Sequence, residues 1–174
     1  MIDFIENLKH ITTFIFDYDG VLTDGKVILL NDGEGLRTAH VRDGYAMQYA
    51  VKKGYRVAII SGGRSEAIIK RFEALHIYDV FMGVGHKLEV YEEYIIKNAV
   101  EHNQVLFMGD DIPDYNLMVR AGVATCPSNA AEEIKSVSSY VSPIKGGEGC
   151  VRDVIEQVLK AQGKWFDTEV AFVW

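Results

Sequence analysis

Two acidic runs stand out, Asp17-Tyr18-Asp19-Gly20 and Gly109-Asp110-Asp111. Each follows a short run of β-branched, aliphatic or aromatic residues, ITTFIF at 11–16 and QVLFM at 104–108. Alone, such a run often only shapes a turn, because Asp caps turns and glycine tolerates a positive φ. A second run placed the same way changes the weighing. Carboxylates gathered at neighbouring strand ends repel one another, and a divalent cation is the usual compensation. Ser61, after YRVAII at 55–60, and Lys87, at the start of a helical run, add a hydroxyl and a cation. Ligands that are all oxygen favour Mg2+, which keeps several waters and pairs with phosphate, so the set points to phosphoryl transfer. A metal between Asp17 and a phosphate, with Ser61 and Lys87 opposite, makes an electrostatic clamp for attack by Asp17. Asp19, two residues on, is placed to protonate the departing alkoxide. It can then take a proton from the water that hydrolyses an aspartyl phosphate.

The elements that must hold these groups are legible from hydrophobic pattern. ITTFIF, YRVAII, DVFMG (79–83), QVLFM, GVATC (122–126) and SYVS (139–142) read as short strands, the last at an edge. Between them lie a helix capped by Asp43 and ending near Gly54, and one over 64–75 with Ile68, Ile69, Phe72 and Leu75 on one face. Further helices run over 87–102, after GDDIPD and over 130–137, and a final one carries Val151, Val154, Ile155, Val158 and Leu159 at helical spacing. Residues 26–40 read as a protruding β-hairpin, KVILL and GLRTAH around NDGEG. Strand and helix alternating throughout predict an α/β fold with a mostly parallel sheet, helices on both faces and right-handed crossovers. Ligands of such sheets bind beyond the strands' C-terminal ends, where Asp17, Ser61 and Asp110 fall.

Composition narrows the classes further. A chain of 174 residues with ordinary apolar content predicts a single domain over 1–174. With 18 basic and 25 acidic residues the net charge is −7, and no basic cluster offers a footprint for nucleic acid or an anionic membrane. No segment reaches the roughly 20 apolar residues of a membrane span, and no targeting leader is readable. Cys126 and Cys150 form no metal-binding pattern, which suits a reducing cytoplasm. The five histidines, His10, His40, His76, His86 and His102, lack ligand spacing and read as surface or satisfied polar groups.

DYDGVLTDG at 17–25, SGGRSEA at 61–67, Lys87 and GDDIPD at 109–114 resemble the four motifs of the haloacid dehalogenase (HAD) superfamily. Within it, the hairpin, DGYA at 43–46 and the ending GGEGCVRDVIEQVLKAQGKW at 146–165 resemble the 3-deoxy-D-manno-octulosonate 8-phosphate (KDO 8-phosphate) phosphatases. The resemblance implies a Rossmann-like HAD fold and a Mg2+-dependent phosphatase of lipopolysaccharide precursor synthesis. It makes Asp17 the nucleophile and Asp19 the acid/base that also lends its backbone carbonyl to the metal. Ser61 and Lys87 become phosphate-binding groups, and Asp110 a direct metal ligand. Asp111 and Asp114 become groups that hold metal waters and orient Lys87. Tyr18 is bulkier than the small aliphatic residue often found between the two aspartates, which bears on local packing.

The spacings from Asp17 to Ser61 and from Ser61 to Asp110 leave no room for a cap domain. A capless member must act on a large substrate or borrow a lid, and the resembling enzymes are homotetramers. Val27, Ile28, Leu29 and Leu30 in the hairpin are too apolar for a solvated ribbon, which points to pairing between subunits. Arg64 and Arg71 share a helix face and read either as solvated charges or, with Ser61, Gly62 and Lys87, as substrate-binding groups, one of them meeting a carboxylate. Gly146, Gly147 and Gly149 read as a loop with a role near the site. The tail 164–174, with Trp165, Phe166, Val170, Phe172, Val173 and Trp174, is too apolar to be solvated and packs on its own domain or on a neighbour. Three other readings compete: a phosphatase of a nine-carbon ulosonate 9-phosphate, a phosphoacceptor receiver domain, and a non-catalytic oligomerisation module.

Overall fold

A computed structural model of the chain describes residues 4–31, 33–168 and 171–172. In chain order the elements are α1 (Phe4–Leu8), β1 (Thr13–Phe16), β2 (Ile28–Leu29), β3 (Gly35–Leu36), α2 (Val41–Lys52), β4 (Arg56–Ile60), α3 (Glu66–Ala74) and β5 (Asp79–Phe81). They continue with α4 (Lys87–Asn98), β6 (Val105–Met108), α5 (Tyr115–Arg120), β7 (Val123–Cys126), α6 (Glu132–Val137), β8 (Tyr140–Val141) and α7 (Cys150–Ala161). Six strands form one parallel sheet in the order β5-β4-β1-β6-β7-β8, and β2 and β3 pair antiparallel in a separate ribbon.

β1 is the sheet's pivot, and all four of its residues are buried. Beyond Thr13 its residues are all apolar, with no alternation, because both of its edges are paired and both faces covered. The period of two then splits its side chains. Phe14 and Phe16 join a core with Met47, Phe72, Val154 and Leu159 from α2, α3 and α7, while Ile15 joins Tyr91, Leu117 and Ile134 from α4, α5 and α6 on the other face. The apolar stripe of α7, including Val151, Ile155 and Val158, is wholly buried, and α7 packs along α2.

Three local expectations need correction. Asp43 does not cap α2, whose N-cap position is taken by His40. Asp43 lies in the first turn, and its Oδ1 accepts the Arg152 N–H at 2.7 Å, so it satisfies an otherwise orphan donor at the start of α7. The two hairpin runs pair over only two residues each, where no second layer covers them, and Ile28, Leu29 and Leu36 are exposed. The helix expected over 87–102 stops at Asn98, where Ala99 turns left-handed and the chain enters a 3₁₀ turn at His102–Gln104.

The described part of the tail folds back on its own chain. Trp165 meets the Tyr49 ring edge-on at 5.1 Å, Tyr49 Oη donates to the Lys164 carbonyl and accepts the Asp167 N–H, and Lys53 pairs with Asp167. Phe166 and Phe172 remain exposed. The expectations for Val170, Val173 and Trp174 lie outside the described residues.

Candidate active site

The register of the central strands assembles the site. Phe16 lies level with Ile59 of β4 and Met108 of β6, so the residues just past these strands emerge side by side. The Asp17 N–H continues the ladder to the Met108 carbonyl at 3.0 Å, and the Ser61 N–H reaches the Phe81 carbonyl at 2.9 Å. Lys87, the first residue of α4, enters from beyond β5. Two adjoining cavities of about 350 and 270 Å3 share Asp17, Asp19, Lys87 and Pro113; the larger adds Ser61 and Gly62, the smaller Asp110, Asp111 and Asp114.

Lys87 is the electrostatic centre. Its Nζ lies 2.9 Å from Asp17 Oδ1 and 2.7 Å from Asp114 Oδ1, with only 8% of its side chain exposed. Asp114 Oδ2 accepts the Asp110 N–H at 3.1 Å, so one buried carboxylate orients both the lysine and the second acidic loop. The Tyr18 N–H donates to Asp17 Oδ1 at 2.7 Å and fixes the rotation of that carboxyl. Tyr18 itself is buried, with its ring edge-on to Phe72 at 6.0 Å, so the bulky residue between the two aspartates is absorbed by the core.

Carboxylates of Asp17, Asp110 and Asp114 can bring one oxygen each within 4.8 Å of one another. Burial pushes Asp17 well above the usual carboxylate range, and Asp114 adds to this against the opposing pull of Lys87. Asp110 is pushed up to about 7, first by burial and then by Asp17, Asp114 and Asp111. Burial works against the Lys87 ammonium too, but its two carboxylate neighbours outweigh it and raise its pKa. One lysine thus faces three crowded carboxylates, an all-oxygen donor set short of positive charge, which fits a hard divalent cation such as Mg2+.

Close backbone approach also defines the site. Gly20 has φ 89°, and a Cβ there would stand 2.0 Å from Asp110 Oδ2, so only glycine lets the first loop pass the second. A Cβ on Gly146 would lie 1.8 Å from the Gly20 carbonyl oxygen, while the Gly146 N–H is held by Asn129 Oδ1 at 2.9 Å. The glycine loop therefore clamps the turn that follows Asp19.

Asp19 carries a contact that pattern alone did not single out. Arg37, just after β3, donates through Nε to Asp19 Oδ1 at 2.6 Å and through Nη2 to Oδ2 at 3.1 Å. The only signal in the sequence is one basic residue in the second hairpin run, where β-alternation could turn it either way. Arg64 and Arg71, by contrast, do not line the cavity with Asp17, nor do they share a helix face, because α3 begins only after Arg64. Arg64 lies against Gly83 and lines a groove with the ribbon, and the Arg71 guanidinium sits over Gly44. Asp111 is exposed at the rim.

No family model matches the chain. Among curated proteins it is 35% identical over 162 residues to the 3-deoxy-D-manno-octulosonate 8-phosphate phosphatase of Escherichia coli K12, covering 93% of this chain and 86% of that protein. The Moraxella catarrhalis enzyme of the same name, solved with a magnesium ion, a phosphate ion and a KDO molecule, superposes with a TM-score of 0.92 at 33% identity, covering 98% of both chains. A HAD superfamily (subfamily III A) hydrolase from Legionella pneumophila gives 0.91 at 30% identity, covering 97% of this chain and 91% of that one. The motifs, the parallel sheet that carries them and these similarities agree: the chain belongs to the 3-deoxy-D-manno-octulosonate 8-phosphate phosphatases of the HAD superfamily.

Proposed function

We propose that the protein is a Mg2+-dependent phosphomonoesterase that releases phosphate from 3-deoxy-D-manno-octulosonate 8-phosphate, in the synthesis of lipopolysaccharide precursors. The observation that carries this reading is the convergence of Asp17, Asp110, Asp114 and Lys87 beside the Ser61 hydroxyl at the ends of three neighbouring strands. Similarity to an enzyme solved with magnesium, phosphate and KDO supports the substrate and the metal. Asp17, Asp110 and the Asp19 backbone carbonyl would hold Mg2+, with Asp111 and Asp114 behind them. When bound, the ion offsets the charge of the phosphate and of the attacking carboxylate.

Asp17, its rotation fixed by the Tyr18 N–H and Lys87, attacks phosphorus as the bond to the sugar oxygen breaks. Asp19 gives its proton to the departing alkoxide. In the second step water attacks the aspartyl phosphate, Asp19 takes the proton, and phosphate leaves as Asp17 is regenerated. Ser61 donates its hydroxyl to a phosphate oxygen, and Lys87 supplies the nearby positive charge. The working unit in this reading is a homotetramer of single-domain chains without a cap. Val27, Ile28, Leu29 and Leu30, all exposed, offer the contact surface, and a neighbour covers the open site. Its place is the cytoplasm, where the free cysteines Cys126 and Cys150 stay reduced.

The test is phosphate release from the eight-carbon ulosonate 8-phosphate and from a nine-carbon ulosonate 9-phosphate. We expect kcat/KM at least about tenfold higher for the former, the scale of one or two missing contacts. The reverse order would overturn the substrate assignment, and no turnover with either would overturn the activity.

A further inference from the structure

Arg37 follows β3 of the ribbon, away from the strand ends that carry the other site residues, yet it reaches Asp19, a site carboxylate that Lys87 does not contact. Its guanidinium makes a two-point contact with Asp19, and Nη1 donates to the Gly35 carbonyl at 3.1 Å. Only 12% of the Arg37 side chain is exposed, against 31% for Asp19. The pair is closely packed against Gly63, which lines the cavity: a Cβ there would lie 3.0 Å from Asp19 Oδ2 and 3.3 Å from Arg37 Nη2. Asp19 lines the cavity with Asp17 and Ser61, whereas Arg37 lines a separate pocket with Tyr18, Leu36 and Arg71.

We propose that Arg37 is a positioning residue that sets the orientation of the Asp19 carboxyl for proton transfer to the leaving group, and so couples the β2–β3 ribbon to the chemistry. The proposal rests on the reading of Asp19 as the acid. A planar fork that engages both carboxylate oxygens fixes rotation about the Cβ–Cγ bond as well as distance, which a single contact cannot do. Asp19 stands at a turn, and among the described residues no backbone N–H donates to its carboxylate as Tyr18 does to Asp17. Its aim is then set largely from the ribbon. Because the ribbon carries the exposed apolar residues Ile28 and Leu29, whatever covers that surface also steadies the acid.

Such a role separates esters by leaving group. A sugar alkoxide needs a proton as the bond breaks, whereas p-nitrophenolate does not. General acid catalysis supplies about 10²–10⁴-fold, and a misplacement of about 1 Å costs about 10²-fold. Arg37→Ala is therefore expected to lower kcat for the sugar phosphate about 10²-fold with KM changed less than about threefold, and to lower single-turnover phosphorylation by p-nitrophenyl phosphate less than about fivefold. Combined with Asp19→Asn, it should add no further loss on the sugar phosphate, because both changes remove the same step.

Arg37→Lys keeps the charge but not the fork and should show the same split at smaller size, so the comparison survives if the alanine variant fails to fold. Equal losses on both esters, a rise in KM with kcat intact, or losses that multiply with those of Asp19→Asn would each overturn the proposal. If Asp19→Asn alone shows no difference between the two esters, the acid assignment falls and the proposal with it. If Asp19→Asn shows the split and neither Arg37 variant does, the proposal alone falls.

Discussion

Replacing Lys87 by Met removes the one cation set among Asp17, Asp110 and Asp114, and its cost can be worked from the structure. The ammonium lies 2.9 and 2.7 Å from two carboxylates that are 9% and 1% exposed at the side chain. Breaking a buried pair by removing one partner costs about 3–5 kcal/mol, because the remaining charge is left uncompensated. For a chain of this size each kcal/mol is about 2–4 °C, so the metal-free variant should melt about 6–20 °C below the parent at pH 8. The deficit should shrink towards pH 6. Burial already raises the pKa of Asp17, and that of Asp110 to about 7, so the orphaned cluster relieves itself by taking up a proton. Mg2+ should restore more stability to the variant than to the parent, since no ammonium then competes for the carboxylates, while turnover falls at least about 10³-fold for want of the phosphate-binding charge. Thermal melts with EDTA and with saturating Mg2+, at pH 6 and pH 8, read all of this. A metal-free variant within about 2 °C of the parent at pH 8, or one that Mg2+ stabilises less than the parent, would refute the view that Lys87 balances the cluster.

Gly146→Ala should lower both kcat and the melting temperature, because its Cβ would need the space 1.8 Å from the Gly20 carbonyl oxygen; a variant with parent-like kinetics would show that the clamp on the first loop is dispensable. Asp43, whose carboxyl burial pushes up to about 6, binds more protons folded than unfolded between its ordinary value near 3.8 and 6, so its contribution to stability falls as pH rises through that window. Asp43→Asn keeps an acceptor for the Arg152 N–H and removes the titration, so its melting temperature relative to the parent should rise from pH 4 to pH 7, by no more than about 3 kcal/mol in stability; a pH-independent difference would count against it. A charge at Leu29, which is 81% exposed, should yield species smaller than a tetramer by light scattering and cut kcat/KM for the sugar phosphate more than for a small aryl phosphate, whereas an unchanged mass would remove the ribbon from the assembly contact.

How far the sequence discloses this site depends on which kind of order each residue obeys. The strands that carry Asp17, Ser61 and Asp110 are buried on both faces, so their apolar runs announce them, and parallel pairing then brings their ends together whatever the loops do. Lys87 is visible for a similar reason, as the opening residue of a helix that must return to the sheet. Arg37 obeys no such rule. It sits past a two-residue strand whose ribbon has no packed layer behind it, so no apolar period marks which way its side chain turns, and only the fold shows it meeting a carboxylate 18 residues earlier. Asp43 misleads for the opposite reason. An acidic residue before a helical run reads as that helix's own cap, yet its real donor is the Arg152 N–H, 109 residues later, at the start of a helix that packs on its own.

Both cases are polar side chains serving a distant backbone or charge. Burial forces such groups to be satisfied but does not say by whom. The asymmetry has a consequence for function in this chain. Asp17, Ser61 and Asp110 lie just past its most regular strands and Lys87 opens a helix, while Arg37, the group that aims Asp19, follows its least supported strand. A change in what covers Ile28 and Leu29 can therefore alter the aim of Asp19 while Asp17, Lys87 and Asp110 stay where the sheet puts them.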